Sequence, residues 1–277
     1  FESTFTFSAK DCSPISQPPS SAADVRLTTS SRVAPALGEM AAVDQFTLVV
    51  RGKQSHGATP WLGVDPLTLG AQVQLGLQTI VSRQLDLTTG PAIITVGSVQ
   101  GGVRWNIIPD SVVMQGTIRT FDPQMREDLL ARVRRTVGSI AESAGASADV
   151  TIESYAPVTY NDPELTTRFQ SALARAAGPG KVREMELVMG SEDFSQYTRT
   201  VPGVYVFLGI NKAGIAPGTA ADNHSPDFFV NEDALRTGER HLREHVESIG
   251  EDRGRSPWIA AERLRRRERL VAMSRLR

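Results

Sequence analysis

The sequence has one cysteine, four histidines and no long apolar run, and each scarcity excludes a class of function. Cys12 alone cannot form an internal disulfide or a cysteine-based zinc site, and its presence fits a reducing compartment. No apolar run approaches the roughly 18 residues that a membrane span needs. Basic and acidic side chains number 30 and 31, so no net field attracts nucleic acid or an anionic membrane. We therefore expect a cytoplasmic protein without nucleic-acid or membrane partners.

The two ends of the chain differ from its middle in composition and in hydrophobic periodicity. Residues 1–38 are rich in Ser, Thr and Pro and show no sustained period of two or 3.6, so we expect 1–43 to be an irregular or non-native start. Residues 251–277 are rich in arginine. This pattern favours a solvated basic helix over a site for an anionic partner.

From residue 44 onward the pattern becomes regular. Alternation predicts four strands and helical spacing predicts two helices, in the order 46–50, 65–84, 92–99, 111–121, 122–145 and 148–155. Asp122 is suited to cap the second helix and Gly145 to end it. The order β-α-β-β-α-β is the ferredoxin-like arrangement, with both helices on one face of a four-stranded sheet. We expect this domain at 44–156.

The pattern changes after Pro157. A helix at 163–177 is followed by strand-like 181–188, a strand at 203–209 and a helix at 231–249. These elements form only half of an α/β layer and include too few strands to close a core. We assign 157–250 to this second α/β segment.

Two candidate site residues lie in the first domain. His56, in the segment "SHGATP" (55–60), follows a basic turn, where it can donate a hydrogen bond to a developing oxyanion or simply lie on the surface. Arg119 lies within the strand at 111–121. Its planar guanidinium matches a substrate carboxylate, although an arginine on the wet face of a half-exposed sheet is the simpler interpretation.

A third candidate is the segment "MGSEDFS" (189–195), in which a Gly-Ser turn precedes two carboxylates. Glu192 and Asp193 are placed between a strand-like stretch and a helix start. Contact with a substrate and capping of the helix both fit this position, and capping needs fewer assumptions.

Histidines near the end of the chain suggest metal binding. His224, in "DNHSPDFF" (222–229), follows the predicted strand at 203–209, where ligands collect in open α/β sheets. One histidine does not make a zinc site, which needs three or four ligands. The segment "HLREH" (241–245) matches the inverted zinc-peptidase pattern. The surrounding helix is charged throughout, so we regard this match as the less favoured interpretation.

Taken together, these segments resemble a known family. Six segments carry the resemblance, in chain order "FTLVVRGKQSHGATP", "AIITVGSVQGG", "WNIIPDSVVMQGTIRTFDP", "NDPEL", "MGSEDFS" and "NHSPDFF". In that order they are similar to the aminoacylase and carboxypeptidase-type dinuclear metallopeptidases. The nearest branch is the amidohydrolases, which include hippurate hydrolases and plant auxin-conjugate hydrolases. The resemblance runs from about residue 41 to residue 250.

The resemblance implies a fold and a set of roles. Members have a zinc-peptidase-like α/β catalytic domain with an inserted ferredoxin-like lid that also forms the homodimer. Residues 44–156 would be the lid, and 157–250 the C-terminal part of the catalytic domain. By resemblance, His56 stabilises the oxyanion in the partner's active site. The remaining implied roles are substrate binding by Asn106, Arg119, Glu192 and Asp193, and metal binding by His224.

The chain also departs from the family. Relatives carry an H-x-C-G-H-D motif, a pair of adjacent glutamates and a further histidine ahead of the lid, and none of these occurs here. We therefore expect an N-terminally incomplete copy. Intact relatives hold two divalent ions, zinc or manganese, whereas this chain alone should bind metal poorly and hydrolyse little.

Two hypotheses follow. The first is a metal-dependent amidohydrolase that cleaves the amide bond of small N-acyl amino acids. The second is a catalytically inactive dimerisation module. The missing ligand motifs favour the second for the chain as written, and the retained pocket segments favour the first for its ancestry.

Overall fold

The computed structural model describes two N-terminal strands, β1 (Thr4–Ala9) and β2 (Val25–Leu27), and most of the chain from residue 40. The described residues beyond these strands are 40–211, 215, 219–221, 225–236, 238–240 and 243. The chain divides into two compact units. The first comprises 1–6, 28–162 and 185–205, and the second comprises 7–27, 163–184 and 206–277.

The first unit contains the predicted β-α-β-β-α-β series, with two very short strands added. Its elements are β3 (Ala42–Arg51), β4 (Ser55–His56), α1 (Pro66–Gln84), β5 (Ala92–Gly101), β6 (Ile107–Ile108), β7 (Ser111–Thr120), α2 (Pro123–Ser143) and β8 (Ser147–Ala156). The long strands form one antiparallel sheet in the order β5-β7-β3-β8. This is the ferredoxin-like strand order, so the predicted arrangement of elements is confirmed.

Alternation along the strands decides which face is buried. Phe46, Leu48 and Val50 are buried, whereas the intervening residues of β3 are half-buried or exposed. The buried face packs on apolar residues spaced three or four apart on both helices, namely Leu69, Val73, Leu77 and Ile80 of α1 and Leu129, Val133 and Val137 of α2. Burial of a large aliphatic side chain contributes about 1.5–3 kcal/mol, so this cluster is the main source of the unit's stability.

Both helices begin just after an aspartate that caps them. The Asp65 carboxylate accepts hydrogen bonds from the N–H groups of Leu67 and Thr68, and Asp122 accepts one from Met125 at 2.6 Å. Gly145, just beyond α2, has a φ of 72°. The predicted cap and end of the second helix are therefore confirmed.

One glycine of the sheet is required by close packing. A Cβ at Gly116 would lie 2.0 Å from the carbonyl oxygen of Thr95 and 2.4 Å from the Phe46 ring. The phenyl ring therefore occupies the space that a side chain on β7 would need. Any larger residue at this position forces the sheet apart.

The other described elements include a helix and the strands of a small mixed sheet. α3 (Pro163–Ala177) has the predicted bounds, and it is followed by β9 (Val182–Glu184) and β10 (Gly203–Leu208). The sheet order is β1-β10-β2-β9, with β2 antiparallel to β10 and parallel to β9. β9 is shorter than the predicted 181–188. Residues 232–236, 238–240 and 243 are helical, and the rest of the helix predicted at 231–249 lies outside the described residues.

The expected irregular start contains β1 and β2. Every residue of β10 is buried, which is typical of a strand with neighbours on both sides. The two N-terminal strands supply these neighbours in the structure. The six-residue alternation in "TFTFSA" was passed over because the surrounding chain is rich in Ser, Thr and Pro. No helix among the described residues is long and apolar enough to cross a bilayer.

Candidate functional site

Two predicted site residues meet on a short ribbon. β4 pairs with β6 so that His56 lies opposite Ile107, and the N–H of Gly57 donates to the carbonyl oxygen of Asn106 at 2.8 Å. His56 was expected on a loop, but it is the last residue of β4. The pairing with β6 causes this difference, and it brings His56 and Asn106 together.

A tight turn fixes the His56 side chain. The N–H of Ala58 donates to His56 Nδ1 at 3.0 Å, and the N–H of Thr59 donates to the His56 carbonyl at 2.9 Å. A short 3-10 helix, Pro60–Leu62, follows. The imidazole is exposed, and Nε2 has no partner among the described residues. The ring therefore offers one nitrogen to a ligand.

The segments beside the ribbon of β4 and β6 carry highly exposed apolar side chains. Trp105, next to Asn106, is 96% exposed, and Val103 is 89% exposed. On the other segment, Trp61 is 76% exposed. Highly exposed tryptophans are typical of surfaces that contact a ligand or another chain.

Arg119 lies on β7, as predicted, and anchors a loop. Its Nη1 donates to the carbonyl oxygen of Met189 at 2.8 Å, and the side chain is half-buried. One of the five guanidinium N–H groups is thereby used, and the others remain for an acceptor such as a carboxylate. The bond holds Arg119 at the beginning of the loop 189–195.

The same loop fixes the Glu192 carboxylate. Its Oε2 accepts a hydrogen bond from the Tyr205 hydroxyl at 2.7 Å, and its Oε1 accepts one from the N–H of Asp193 at 3.2 Å. Asp193 itself is exposed. The following helix, α4 (Ser195–Thr198), has no side-chain cap at its N-terminus. Neither carboxylate caps that helix, and their contact with a substrate stays a prediction.

Sequence reasoning missed Asn161 and Tyr205 as supports of this loop. The Asn161 Nδ2 donates to the Tyr205 carbonyl at 2.9 Å, and the Tyr205 N–H donates to Asn161 Oδ1. Asn161 is 7% exposed and Tyr205 is fully buried. The segment "NDPEL" that carries Asn161 was recognised only as a family segment. An amide side chain just before a helix was the one feature of the sequence that could have indicated this role.

Metal ligands are not grouped in the part of the chain that the structure describes. Within it, no cluster of three or more His, Cys, Asp or Glu side chains is placed to hold an ion. The predicted ligand His224 lies outside the described residues, as do four of the five residues of the segment 241–245. The described residues therefore do not fit a dinuclear metal centre on their own.

A cavity of 380 Å³ lies on the sheet face opposite the helices, apart from the predicted site residues. Its lining is mostly hydroxyl and amide side chains, with a single carboxylate. The lining residues are Gln45, Phe46, Thr47, Gly97, Ser98, Gln115, Gly116, Thr117, Thr151 and Glu153.

Comparison with known proteins gives one family. A family model for peptidase family M20/M25/M40 matches residues 15–248. An N-acetylcysteine deacetylase of Bacillus subtilis is 34% identical over 205 residues, which are 74% of this chain and 51% of that protein. An IAA-amino acid hydrolase of Arabidopsis thaliana is 34% identical over 213 residues, 76% of this chain and 47% of that protein. The chain spans about half the length of these curated relatives.

A solved structure agrees with the sequence comparison. A dinuclear metal binding peptidase of the M20 family from Bacillus subtilis matches with a TM-score of 0.62 and 28% identity. The match covers 87% of this chain and 55% of that chain. The α/β fold is therefore shared over most of the chain.

Proposed function

Because the chain belongs to peptidase family M20/M25/M40, we propose that it takes part in hydrolysing the amide bond of small N-acyl amino acids. Both relatives named above act on such compounds, an N-acetylated amino acid in one case and an IAA-amino acid conjugate in the other. The substrate class of this chain is proposed from theirs. The segments that resemble the family include the proposed site residues, which are His56, Asn106, Arg119, Glu192, Asp193 and His224.

The observation that carries the proposal is the His56–Asn106 ribbon. It presents an exposed imidazole whose Nδ1 is already bonded to a backbone N–H. The other nitrogen can donate a hydrogen bond to the oxygen of the scissile amide as charge develops on it. One such donor is commonly worth a factor of about 100–1,000 in turnover. In the proposed homodimer, His56 serves the active site of the partner.

The remaining site residues bind the substrate in this proposal. Arg119 and Asn106 hold the carboxylate end, because a guanidinium and an amide both donate to carboxylate oxygens. Glu192 and Asp193 line the pocket. The loop 189–195 supports this assignment, since Arg119 donates to its first residue and Tyr205 holds its Glu192.

A divalent metal, zinc or manganese, supplies an activated water in enzymes of this type. The described residues do not provide its ligands, so no step is assigned to it here. We propose His224 as one ligand, with the others provided from outside the described residues.

The test is release of free amino acid from N-acetyl-L-cysteine and hippurate by the purified chain, with zinc or manganese added. We expect His56→Ala to lower any turnover about 100–1,000-fold. Gln100→Ala, at an exposed position of β5, is the control and should leave turnover unchanged. Equal rates for His56→Ala and the unmodified chain would exclude the proposed role of His56.

The alternative is a catalytically inactive dimerisation module. It is favoured by the absence of a ligand cluster among the described residues and by the exposed Ile93 and Val99 on the edge strand β5. Metal content after exposure to zinc and manganese and desalting separates the two. About two ions per chain supports the enzyme, and none supports the module.

A further inference from the structure

The His56 side chain is held by its own turn in one orientation. The backbone of His56 is fixed by pairing with Ile107, and its carbonyl accepts the N–H of Thr59. The ring then accepts the N–H of Ala58 at Nδ1, 3.0 Å away. Backbone and ring are thus restrained by separate hydrogen bonds, and neither restraint involves a charged neighbour.

The position of the Ala58 amide is also fixed. Gly57, which precedes it, donates to the Asn106 carbonyl at 2.8 Å. A Cβ on Gly57 would lie 3.1 Å from that same oxygen, so the two segments touch closely. A side chain here would push the Asn106 backbone back by a few tenths of an ångström. The close contact with Asn106 holds the Ala58 N–H in place beside the ring.

The hydrogen bond determines where the imidazole proton lies. A backbone N–H only donates, so Nδ1 must present its lone pair and carry no proton. A neutral imidazole has one N–H, which is then on Nε2. We propose that the Ala58 amide is a positioning group that holds His56 as the Nε2–H tautomer, a donor for a carbonyl or anionic oxygen.

The assignment separates the possible roles of His56. To bind a metal, Nε2 would need a free lone pair, and the proton of the neutral ring would then lie on Nδ1. That proton would point at the hydrogen of the Ala58 N–H, so the turn disfavours this tautomer. A general base would need the same lone pair. The exposed nitrogen is instead a donor before any ligand arrives, which avoids reorganising the ring when charge develops. The tautomer follows from the turn alone, and only its use in catalysis rests on the proposed function.

The experiment is nuclear magnetic resonance of the full chain labelled with ¹⁵N at histidine and alanine. Ring nitrogens are observed through their long-range couplings to ring protons, at a pH where the imidazole signals no longer change. We expect His56 to show an unprotonated Nδ1 and a protonated Nε2. We also expect a coupling across the hydrogen bond between Ala58 N and His56 Nδ1. His56→Gln identifies the His56 signals by their loss.

A pair of variants tests the cause. Ala58→Pro removes the N–H and should abolish the coupling and let both tautomers populate. Ala58→Ser keeps the N–H at the same exposed position and should retain the spectrum of the unmodified chain. If Ala58→Pro disturbs the turn, the coupling between Ala58 N and His56 Nδ1 in the unmodified chain tests the proposal by itself.

Two results would overturn the proposal. One is a proton on Nδ1 of His56 in the unmodified chain, and the other is an unchanged tautomer in a folded Ala58→Pro variant. Neither depends on hydrolysis. A locked Nε2–H tautomer in a chain without turnover would count against the proposed function only, whereas turnover with a proton on Nδ1 would count against this inference only.

Discussion

At the residue scale, two Arg–Asp pairs differ in geometry and in burial. Arg126 donates to both oxygens of Asp44 at 2.6 and 2.7 Å, and the Asp44 side chain is only 1% exposed. Arg51 donates to Asp149 at 3.0 Å, with the side chains 57% and 64% exposed. The hydrogen bonds to Asp44 raise the pKa of Arg126 above its ordinary value. The stability that comes from this raised pKa is fully present below the ordinary arginine pKa and is lost as the pH rises through the raised value.

The two pairs give a matched prediction. Asp44→Asn leaves the partly buried guanidinium without its counter-charge, so we expect the free energy of unfolding to fall by about 3 kcal/mol. Asp149→Asn removes an exposed pair, and the loss should stay below about 1 kcal/mol. Urea unfolding followed by circular dichroism measures both. Equal losses would show that neither burial nor the second hydrogen bond strengthens the Arg126–Asp44 pair.

At the element scale, the side chain of Asn161 forms the hydrogen bonds to β10 that a neighbouring strand would form. Its amide pairs with both the N–H and the carbonyl of Tyr205, within the first half of β10. The N–H of Asp162 continues the pattern by donating to the Gly203 carbonyl at 2.9 Å. The segment before α3 thereby satisfies backbone groups that a strand would otherwise satisfy. It also fixes Tyr205, whose hydroxyl holds Glu192.

We predict that Asn161→Ala lowers the free energy of unfolding by about 2–3 kcal/mol, because two buried backbone groups of Tyr205 lose their partner. The control is Gln196→Ala. Gln196 is exposed and donates to the Tyr155 carbonyl at 3.4 Å, so its removal should change stability by less than about 0.5 kcal/mol. Thermal and urea unfolding measure both variants. A neutral Asn161→Ala would mean that water replaces the amide.

At the scale of the whole molecule, the antiparallel sheet of the first unit ends in two long strands. β5 carries the exposed aliphatic residues Ile93 and Val99, whereas β8 carries Asp149 and Glu153 beside one exposed aromatic residue, Tyr155. Unpaired edges with apolar side chains favour pairing with another chain, and charges oppose it. β5 is therefore the edge at which we expect the proposed homodimer to form.

The prediction is a mass of two chains by size-exclusion chromatography with light scattering. Val99→Lys places a charge at the β5 edge and should shift the mass toward a single chain. The control is Tyr155→Lys on β8. Tyr155 is 68% exposed, and its replacement should leave the mass unchanged. A single-chain mass for the unmodified protein across concentrations would contradict the homodimer.

Local signals account for the elements that were predicted well. α2 has a carboxylate cap at Asp122, a positive-φ glycine at Gly145 and helical spacing between them, and all three are properties of neighbouring residues. β9 was predicted over 181–188 but spans three residues, because its length depends on β2, which is distant in sequence. β1 and β2 were missed for the same reason.

The sequence by itself determined the family, the β-α-β-β-α-β order and the candidate residues of the site. Periodicity, caps and ordered motifs lie within short stretches of chain, so they can be read without the fold. Only the tertiary structure decided that Arg119 binds the Met189 carbonyl, that Tyr205 holds Glu192, and that Gly57 meets Asn106. These bonds join residues far apart in sequence, and their partners depend on strand register, which neighbouring residues do not specify.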